Sequence, residues 1–184
     1  YHIDGFRFDL MGVLDIETLN EARKALLKIN PDIIMYGEGW TGGESTLPES
    51  ERGMKINAPR TPGIGMFSDD IRDAVKGHVF YMDELGFVNG AADRGEELKQ
   101  AVTCAKWAKS PMQSINYLSC HDNYTLWDRF IISNSHESEE MRIRMNKLAA
   151  AILFTAQGIP FFLHGEEFAR TKISEADGAP VENS

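Results

Sequence analysis

The sequence predicts an α/β fold built on a parallel sheet, because short apolar runs alternate with helical segments along the chain. The runs GFRFDLMG, DIIMYGEGW and SINYLSCHDN have the composition of strands, and amphipathic segments lie between them. Strands that are separated by helices favour parallel pairing. Four or five strands are too few for a closed eight-stranded barrel, which takes about 250 residues. The count therefore suits either half of such a barrel or an open sheet.

The elements of the first half follow from local signals. Residues 5–12 alternate as a strand does, and Asp15 has the position of a helix N-cap. The spacing after it predicts a helix over 16–29, which Pro31 ends. Its apolar face holds Ile16, Leu19, Leu26 and Leu27. The apolar run at 32–40 predicts a buried strand, and the polar stretch from 41 to 62 predicts a long loop.

The second half repeats the alternation. We predict a weak strand at 64–67, a helix that begins at 69, a helix over 93–109, a strand over 114–123 and a short helix at 126–132. A strong helix follows at 137–158, with Gly158 as its C′ residue and Met141, Met145, Leu148 and Ile152 as its apolar face. The run at 159–168 predicts a last buried strand, and the rest predicts loop.

Composition excludes some classes of partner. The chain has 184 residues, 42% of them hydrophobic, and a formal net charge of −9, which argues against nucleic acid. No apolar run approaches the roughly 20 residues of a membrane span. We interpret the two cysteines, Cys104 and Cys120, as buried thiols, so a cytoplasmic and a secreted bacterial location both stay open. We interpret residues 1–184 as one domain that is truncated at both ends.

Charged side chains follow three of the predicted strands. Asp9 ends the first, Glu38 ends the second, and His121 and Asp122 end the strand that begins at 114. Taken singly, each is more often a turn or cap residue than a catalyst. In a parallel barrel, however, the carboxyl ends of the strands share one face, where active sites are built. We therefore expect these residues to converge on one pocket.

Paired carboxylates of this kind suit the cleavage of a glycosidic bond. One carboxylate acts as nucleophile and the other as general acid, and their environments set these roles. Arg7 lies on the same strand face as Asp9, and its charge favours the ionised form that a nucleophile needs. Apolar and aromatic neighbours, among them Trp40, predict a setting for Glu38 that favours the protonated form. Trp40 is also a candidate for stacking on a sugar ring.

Two rival motifs are weaker. GEGWTG matches the glycine pattern of dinucleotide sites, but no helix is predicted after it and no acidic residue stands at 57–60 to bind a ribose. HGEEF lacks the second histidine that a zinc helix requires, and the sequence shows no metal-ligand cluster. The sequence has no G-x-S-x-G elbow for a serine hydrolase.

The quoted motifs resemble a known family. GFRFD, YGEGW and SINYLSCHDN, in this order, are similar to three sequence regions of the α-amylase superfamily, glycoside hydrolase family thirteen. More narrowly, GFRFDLMG, YGEGWTGG, TPGIGMFSDDIRDAVKG and SINYLSCHDNYTLWDR resemble the type I pullulanase group of starch-debranching enzymes. The resemblance extends from residue 1 to about residue 172.

The resemblance implies a fold and a reaction. The fold would be about strands 4–8 of a (β/α)8 TIM barrel, completed by a missing N-terminal half. The reaction would be retaining hydrolysis of α-1,6-glucosidic links in pullulan, amylopectin and glycogen limit dextrins. Calcium occurs in some relatives, but no cofactor and no metal site are implied for this sequence. Because half a barrel leaves strand edges unprotected, we expect the chain alone to be inactive and to fold poorly.

The resemblance also assigns roles to individual residues. Asp9 matches the nucleophile, Glu38 the general acid/base, and Asp122 a third carboxylate that binds sugar hydroxyls and stabilises the transition state. We take Arg7, Trp40, His121 and Asn123 as candidate substrate-binding residues, and Arg7 and His121 match partners within the family motifs. A glycine stands before Glu38 in YGEGW where relatives often carry proline. Isoamylase-like debranching, α-1,4 hydrolysis, a silent carbohydrate-binding relative and a nucleotide-binding open sheet stay open as alternatives.

Overall fold

The computed structural model describes residues 2–182, and strands and helices alternate there as the sequence predicts. The elements are β1 (Gly5–Phe8), α1 (Ile16–Leu27), β2 (Ile34–Gly37), β3 (Gly65–Ser68), α2 (Asp69–Lys76), α3 (Gly95–Val102), β4 (Ser114–Asn116), α4 (Leu126–Ser133), α5 (Glu139–Thr155) and β5 (Ile159–Pro160). The predicted α/β class is confirmed.

One sheet contains all five strands, and hydrogen-bonded neighbours follow the chain order β1-β2-β3-β4-β5. β1 and β2 are parallel, with Gly5 opposite Ile34 and Phe8 opposite Gly37. β2 and β3 are also parallel. The predicted parallel sheet is therefore confirmed, whereas the place of these strands in a barrel stays a prediction.

The chain divides into two compact units, each with its own apolar core. The first unit comprises residues 2–67 and 106–115, and the second comprises residues 68–105 and 116–182. The first core contains Met11, Leu19, Met35, Ala58, Ile64 and Met66. The second core contains Ile71, Ala74, Val75, Val88, Ala101, Leu118, Leu126, Phe130, Ala149 and Leu153. Helix α1 begins as predicted, because the Asp15 carboxylate accepts a 2.7 Å hydrogen bond from the Thr18 amide.

Several predicted elements are too long. The strand over 114–123 is reduced to Ser114–Asn116, so His121 and Asp122 lie in the connection after it and do not end a strand as predicted. The helix over 93–109 is reduced to α3, because Cys104 has a φ of 96°, in the left-handed region that a helix cannot continue through. The last strand is reduced from 159–168 to Ile159–Pro160. Gly165, with a φ of 95°, starts a 3-10 turn over Glu166–Phe168 and so redirects the chain. The predicted tail loop contains an antiparallel bridge between Ile173 and Pro180.

The predicted apolar face of the longest helix is also partly wrong. Met141 and Leu148 are exposed, whereas Ala149 and Leu153 are buried. The core-facing strip of α5 is therefore rotated toward a small residue, which lets the helix pack closely. Its end is also earlier than predicted, because the helix stops at Thr155 and Gly158 lies beyond the C-cap at Ala156. α5 has 17 residues, and within residues 2–182 no helix combines the length and apolar content of a membrane span.

This rotation of α5 is testable with two leucines on the same helix. Leu153→Ala removes a side chain that is 1% exposed, and Leu148→Ala removes one that is 46% exposed. We expect the first change to lower the free energy of unfolding by about 2–5 kcal/mol because it leaves a cavity. The second should change it by less than about 0.5 kcal/mol. Urea unfolding of the two variants measures the difference, and equal losses would contradict the packing described here.

Candidate active site

The register of β1 and β2 places two acidic side chains together. Phe8 and Gly37 are the last paired residues, so Asp9 and Glu38 each come one position later on neighbouring parallel strands. The Glu38 amide donates a 3.0 Å hydrogen bond to the Phe8 carbonyl and thereby extends the ladder. One carboxylate oxygen of Asp9 lies within 4.8 Å of one of Glu38. The two residues that sequence reasoning paired are thus neighbours in the first unit.

Arg7 joins the two carboxylates. Its guanidinium forms an ion pair with Asp9, and its Nη2 donates a 2.8 Å hydrogen bond to Oε1 of Glu38. The guanidinium also lies over the ring of Phe67 on β3, 5.5 Å from the ring centroid. A planar, permanently charged fork suits two acceptors and one aromatic face at the same time. Arg7 therefore contacts both carboxylates. The sequence predicted its contact with Asp9 but not its contact with Glu38.

The surroundings of Glu38 differ from the prediction. The residue is buried, as its apolar neighbours in sequence suggested, but its carboxylate has ionic and polar partners. The Leu10 amide donates a 2.8 Å hydrogen bond to Oε2, in addition to the Arg7 contact with Oε1. Leu10 holds left-handed dihedral angles, φ 44° and ψ 46°, which turn its amide toward Glu38. The predicted apolar environment is therefore wrong, because backbone geometry brings polar groups that composition does not reveal.

The two carboxylates differ in access to solvent. The Asp9 side chain is 61% exposed, whereas that of Glu38 is 4% exposed. Both are bound by the same guanidinium, so exposure and the Leu10 amide are what distinguish them. In retaining glycosidases the two carboxyl groups lie about 5–5.5 Å apart, whereas inverting enzymes need about 6.5–9.5 Å. The short spacing here suits direct attack by one carboxylate.

Trp40 follows Glu38 on the same connection. Its ring is half-buried, and the ammonium of Lys55 lies 6.0 Å from the ring centroid. The Lys55 amide donates a 3.0 Å hydrogen bond to the carbonyl of Gly39, which fixes the backbone between the acid and the tryptophan.

From Glu38 to Pro48 the chain forms no helix, so the GEGWTG segment lacks the helix N-terminus of a dinucleotide site.

His121, Asp122 and Asn123 lie in the second unit, in the connection after β4. The imidazole Nε2 of His121 is 3.6 Å from Oδ2 of Asp122. Asn123 has a φ of 59°, so the backbone turns sharply just after Asp122. The structure thus brings Arg7, Asp9 and Glu38 together in one unit. The convergence of Asp122 with them stays a prediction.

A group of possible metal ligands also occurs in this connection. Ligand atoms of Cys120, His121 and Asp122 lie within 4.8 Å of one another. Sequence reasoning found no metal-ligand cluster, and the absence of a metal site stays a prediction, although these three consecutive side chains lie close together. Sulfur, imidazole and carboxylate are ligands that zinc accepts. Burial raises the pKa of the Cys120 thiol, which opposes the thiolate that a metal requires.

Sequence reasoning missed a set of buried charges in the second unit. Lys76 and Glu166 are both buried and interact electrostatically. Burial lowers the pKa of Lys76 to about 7, helped by the charge of Arg72 and opposed by Glu166. Burial raises the pKa of Glu166 to about 7, opposed by the Ser119 hydroxyl and the Lys76 ammonium. Lys76 ends a short helix and Glu166 lies in a predicted strand, so no spacing signal links them.

Lys172 was likewise missed. It is buried although it lies in the predicted terminal loop, and its ammonium contacts backbone carbonyls of the His121–Asn123 connection. A single lysine after an irregular segment carries no pattern that a sequence reader can use. Its neighbour in the fold is 49 residues away in the chain.

Comparison with known proteins gives a consistent result. No family model matches the chain. It is 40% identical over 179 residues to a pullulanase of Bacillus subtilis, a match that covers 94% of this chain and 25% of the relative. It is 32% identical over 238 residues to the chloroplastic pullulanase 1 of Arabidopsis thaliana, covering 96% of this chain and 24% of the relative. The chain thus spans about a quarter of the length of the curated relatives that it matches.

Solved structures agree. A pullulanase from Anoxybacillus sp. in complex with maltotetraose matches with a TM-score of 0.91 and 46% identity, over 98% of this chain and 26% of that one. A pullulanase from Paenibacillus barengoltzii in complex with maltohexaose and α-cyclodextrin matches with a TM-score of 0.90 and 48% identity, over 100% of this chain and 29% of that one.

The α/β fold with its parallel sheet is thus shared with the matched pullulanases. The chain belongs to the pullulanase family. The resemblance that the motifs suggested is confirmed.

Glu166 makes the stability of the protein depend on pH, and the direction of its pKa shift defines the sign of that dependence. Its folded pKa of about 7 exceeds its ordinary value of 4.5, so the folded state binds more protons between these values. The contribution of Glu166 to the free energy of unfolding therefore falls as pH rises from about 4.5 to 7. Because Glu166→Gln does not titrate, its melting temperature relative to the parent protein should rise across this window. Thermal unfolding at several pH values measures it.

The exposed Glu140 on α5 is the matched control for this measurement. Glu140→Gln should not reproduce the rise. If Glu166→Gln showed no pH-dependent difference from the parent protein, or one of opposite sign, the assignment would be wrong.

Proposed function

We propose that this chain carries the nucleophile and the general acid/base of a retaining glycoside hydrolase that cleaves α-1,6-glucosidic branch links in α-glucans. The observation that carries the proposal is the pair Asp9 and Glu38. Each residue directly follows one of two neighbouring parallel strands, and a carboxylate oxygen of one lies within 4.8 Å of a carboxylate oxygen of the other. Both contact the guanidinium of Arg7. Membership of the pullulanase family supports the choice of linkage.

Asp9 is the proposed nucleophile. Its carboxylate is exposed, so a sugar ring can approach it, and the ion pair with Arg7 orients it. In the first step a carboxylate oxygen bonds to the anomeric carbon as the glycosidic C–O bond breaks. The product is a covalent glycosyl ester on Asp9 and a free sugar hydroxyl.

Glu38 is the proposed proton donor and acceptor. In the first step it gives its proton to the departing glycosidic oxygen. In the second step it takes a proton from water, whose oxygen attacks the anomeric carbon and releases Asp9. The Leu10 amide and Arg7 hold both of its oxygens, so the carboxylate is oriented when it is ionised between the steps. Two inversions at the anomeric carbon give net retention.

We propose binding roles for four further residues. Asp122 acts as the third carboxylate, which binds sugar hydroxyls and stabilises positive charge in the transition state. His121 and Asn123 flank it and bind substrate hydroxyls, and the half-buried ring of Trp40 stacks on a sugar. These roles rest on the match of SINYLSCHDN and YGEGW to the family motifs.

We further propose that the chain acts within a longer polypeptide, as about strands 4–8 of a (β/α)8 barrel. The matched relatives are about four times as long, and their solved structures superimpose on nearly all of this chain. The remaining strands would come from an N-terminal half of the same barrel. Pullulan, amylopectin and glycogen limit dextrins are the proposed substrates, in line with relatives whose structures hold maltotetraose and maltohexaose.

The roles of the two acids are testable by isosteric substitution in the intact polypeptide. Glu38→Gln should lower kcat by about 10²–10⁴-fold, because proton transfer is lost. Asp9→Asn should lower it further, because no covalent intermediate forms. Both variants should still bind maltotriose, measured by calorimetry. The exposed Glu140→Gln is the control, and full activity in Asp9→Asn would remove the basis of the proposal.

The proposed linkage is tested by comparing pullulan with amylose. Pullulan has α-1,6 links between maltotriose units, whereas amylose has only α-1,4 links. The intact polypeptide should release maltotriose from pullulan and leave amylose uncut, with product chromatography as the measurement. Cleavage of amylose would instead favour the α-1,4 alternative, and glucan binding without cleavage of either substrate would favour a silent carbohydrate-binding relative.

A further inference from the structure

The ammonium of Lys172 is saturated by backbone carbonyls. It donates to the carbonyl oxygens of His121, of Asn123 at 2.7 Å and of Glu182 at 3.1 Å. An ammonium has three N–H donors, and all three have a partner here. The residue is only 6% exposed, so water does not replace these contacts. The three carbonyls are therefore the compensation that a buried lysine requires.

Two of these carbonyls belong to the residues on either side of Asp122. The turn between them is held by the left-handed backbone of Asn123, with a φ of 59°. In an irregular connection of this kind, carbonyl oxygens need donors other than the amides of a regular ladder, and the Lys172 ammonium donates to two of them. The ammonium thus contacts the backbone on both sides of Asp122.

The backbone of Lys172 is anchored independently of its side chain. Its amide donates a 2.8 Å hydrogen bond to Oδ2 of Asp128, which also accepts a 2.8 Å bond from the Thr125 hydroxyl. The Thr125 hydroxyl in turn accepts from the Asp128 amide and caps α4. The Val181 amide donates to the Lys172 carbonyl at 2.9 Å. Substitution of the side chain therefore leaves this backbone frame in place.

Burial and nearby acidic groups act in opposite directions on the charge of Lys172. Burial lowers the pKa of Lys172, while the thiol of Cys120 and the carboxylates of Asp122 and Asp128 oppose this effect. A second buried ammonium, that of Lys76, lies 3.4 Å from the carbonyl oxygen of Tyr124. Two lysines from separate elements thus bind carbonyls of one short connection.

We propose that Lys172 is a positioning residue, which holds the His121–Asn123 connection and thereby orients the carboxylate of Asp122. The role rests on the proposed function of Asp122 as a catalytic carboxylate. Lys172 itself touches backbone carbonyls and acts only through the loop. Its effect on the reaction must therefore depend on the presence of that carboxylate.

The test is a double-mutant cycle in the intact polypeptide, with Lys172→Met and Asp122→Asn. Lys172→Met keeps an unbranched side chain as far as the ε position and removes the ammonium with its charge and donors. A misplacement of about 1 Å in a catalytic group costs about 10²-fold, so we expect a loss of that size in kcat/KM, mainly in kcat. In the Asp122→Asn background the same change should cost less than about threefold, because the two residues act as a unit.

A conservative variant and a control complete the design. Lys172→Arg keeps the charge but presents a planar fork to the three carbonyls, so it should recover activity only in part, about tenfold over Lys172→Met. Lys99→Met is the matched control, since Lys99 lies on α3 with a side chain that is 72% exposed. It should leave kcat/KM unchanged. Binding of maltotriose, measured by calorimetry in all four members of the cycle, provides a second readout if Asp122→Asn is too slow to assay.

The outcomes separate the two proposals. Equal losses from Lys172→Met in both backgrounds would mean that Lys172 supports the fold and does not act through Asp122, which overturns the inference. Unchanged activity in Lys172→Met, with activity lost in Asp122→Asn, would overturn the inference and leave the proposed function intact. Unchanged activity in Asp122→Asn itself would instead remove that residue from the proposed site.

Discussion

The parallel pairing of β1 with β2 is the constraint on which the candidate active site depends. Phe8 lies opposite Gly37, so the next residue on each strand is a carboxylate on the same edge of the sheet. A Cβ at position 37 would lie 2.5 Å from the Phe8 carbonyl oxygen, so only glycine permits this approach without a shift of the backbone. The glycine before Glu38 is thus required by the strand spacing. A slip of one residue would send Arg7 and Asp9 to the opposite face.

The register also places the two like charges of Asp9 and Glu38 on either side of one cation. Arg7 places one cation between Asp9 and Glu38, and the ring of Phe67 supports that cation from β3. The two acids then differ in solvent exposure. Asp9 is open to solvent, whereas Glu38 is buried and accepts a hydrogen bond from the Leu10 amide. A substrate can reach Asp9 directly, whereas Glu38 is held in place. We propose that this division lets Asp9 act as the nucleophile and Glu38 as the proton donor.

Sequence reasoning succeeded where a feature depends on local pattern. The order of elements, the N-cap at Asp15 and the strand-end position of Asp9 and Glu38 all follow from periodicity and short-range signals. It failed where tertiary contacts decide, as in the rotated core face of α5 and the early end of α3 at Cys104. Lys172 was missed for the same reason, because its partners lie 49 and 51 residues away in the chain.

The two units use different cations for a similar task, and the chemistry of each cation fits its acceptors. Carboxylates at β1 and β2 present paired oxygens, and the planar fork of Arg7 can serve two of them at defined angles. The carbonyl oxygens of His121, Asn123 and Glu182 converge on one point, and the compact ammonium of Lys172 can donate to all three at once. Arg7→Lys and Lys172→Arg would therefore each keep the charge and change the geometry of the hydrogen-bond donors. In a chain with a formal net charge of −9, these enclosed cations orient the acidic groups that the proposed reaction uses.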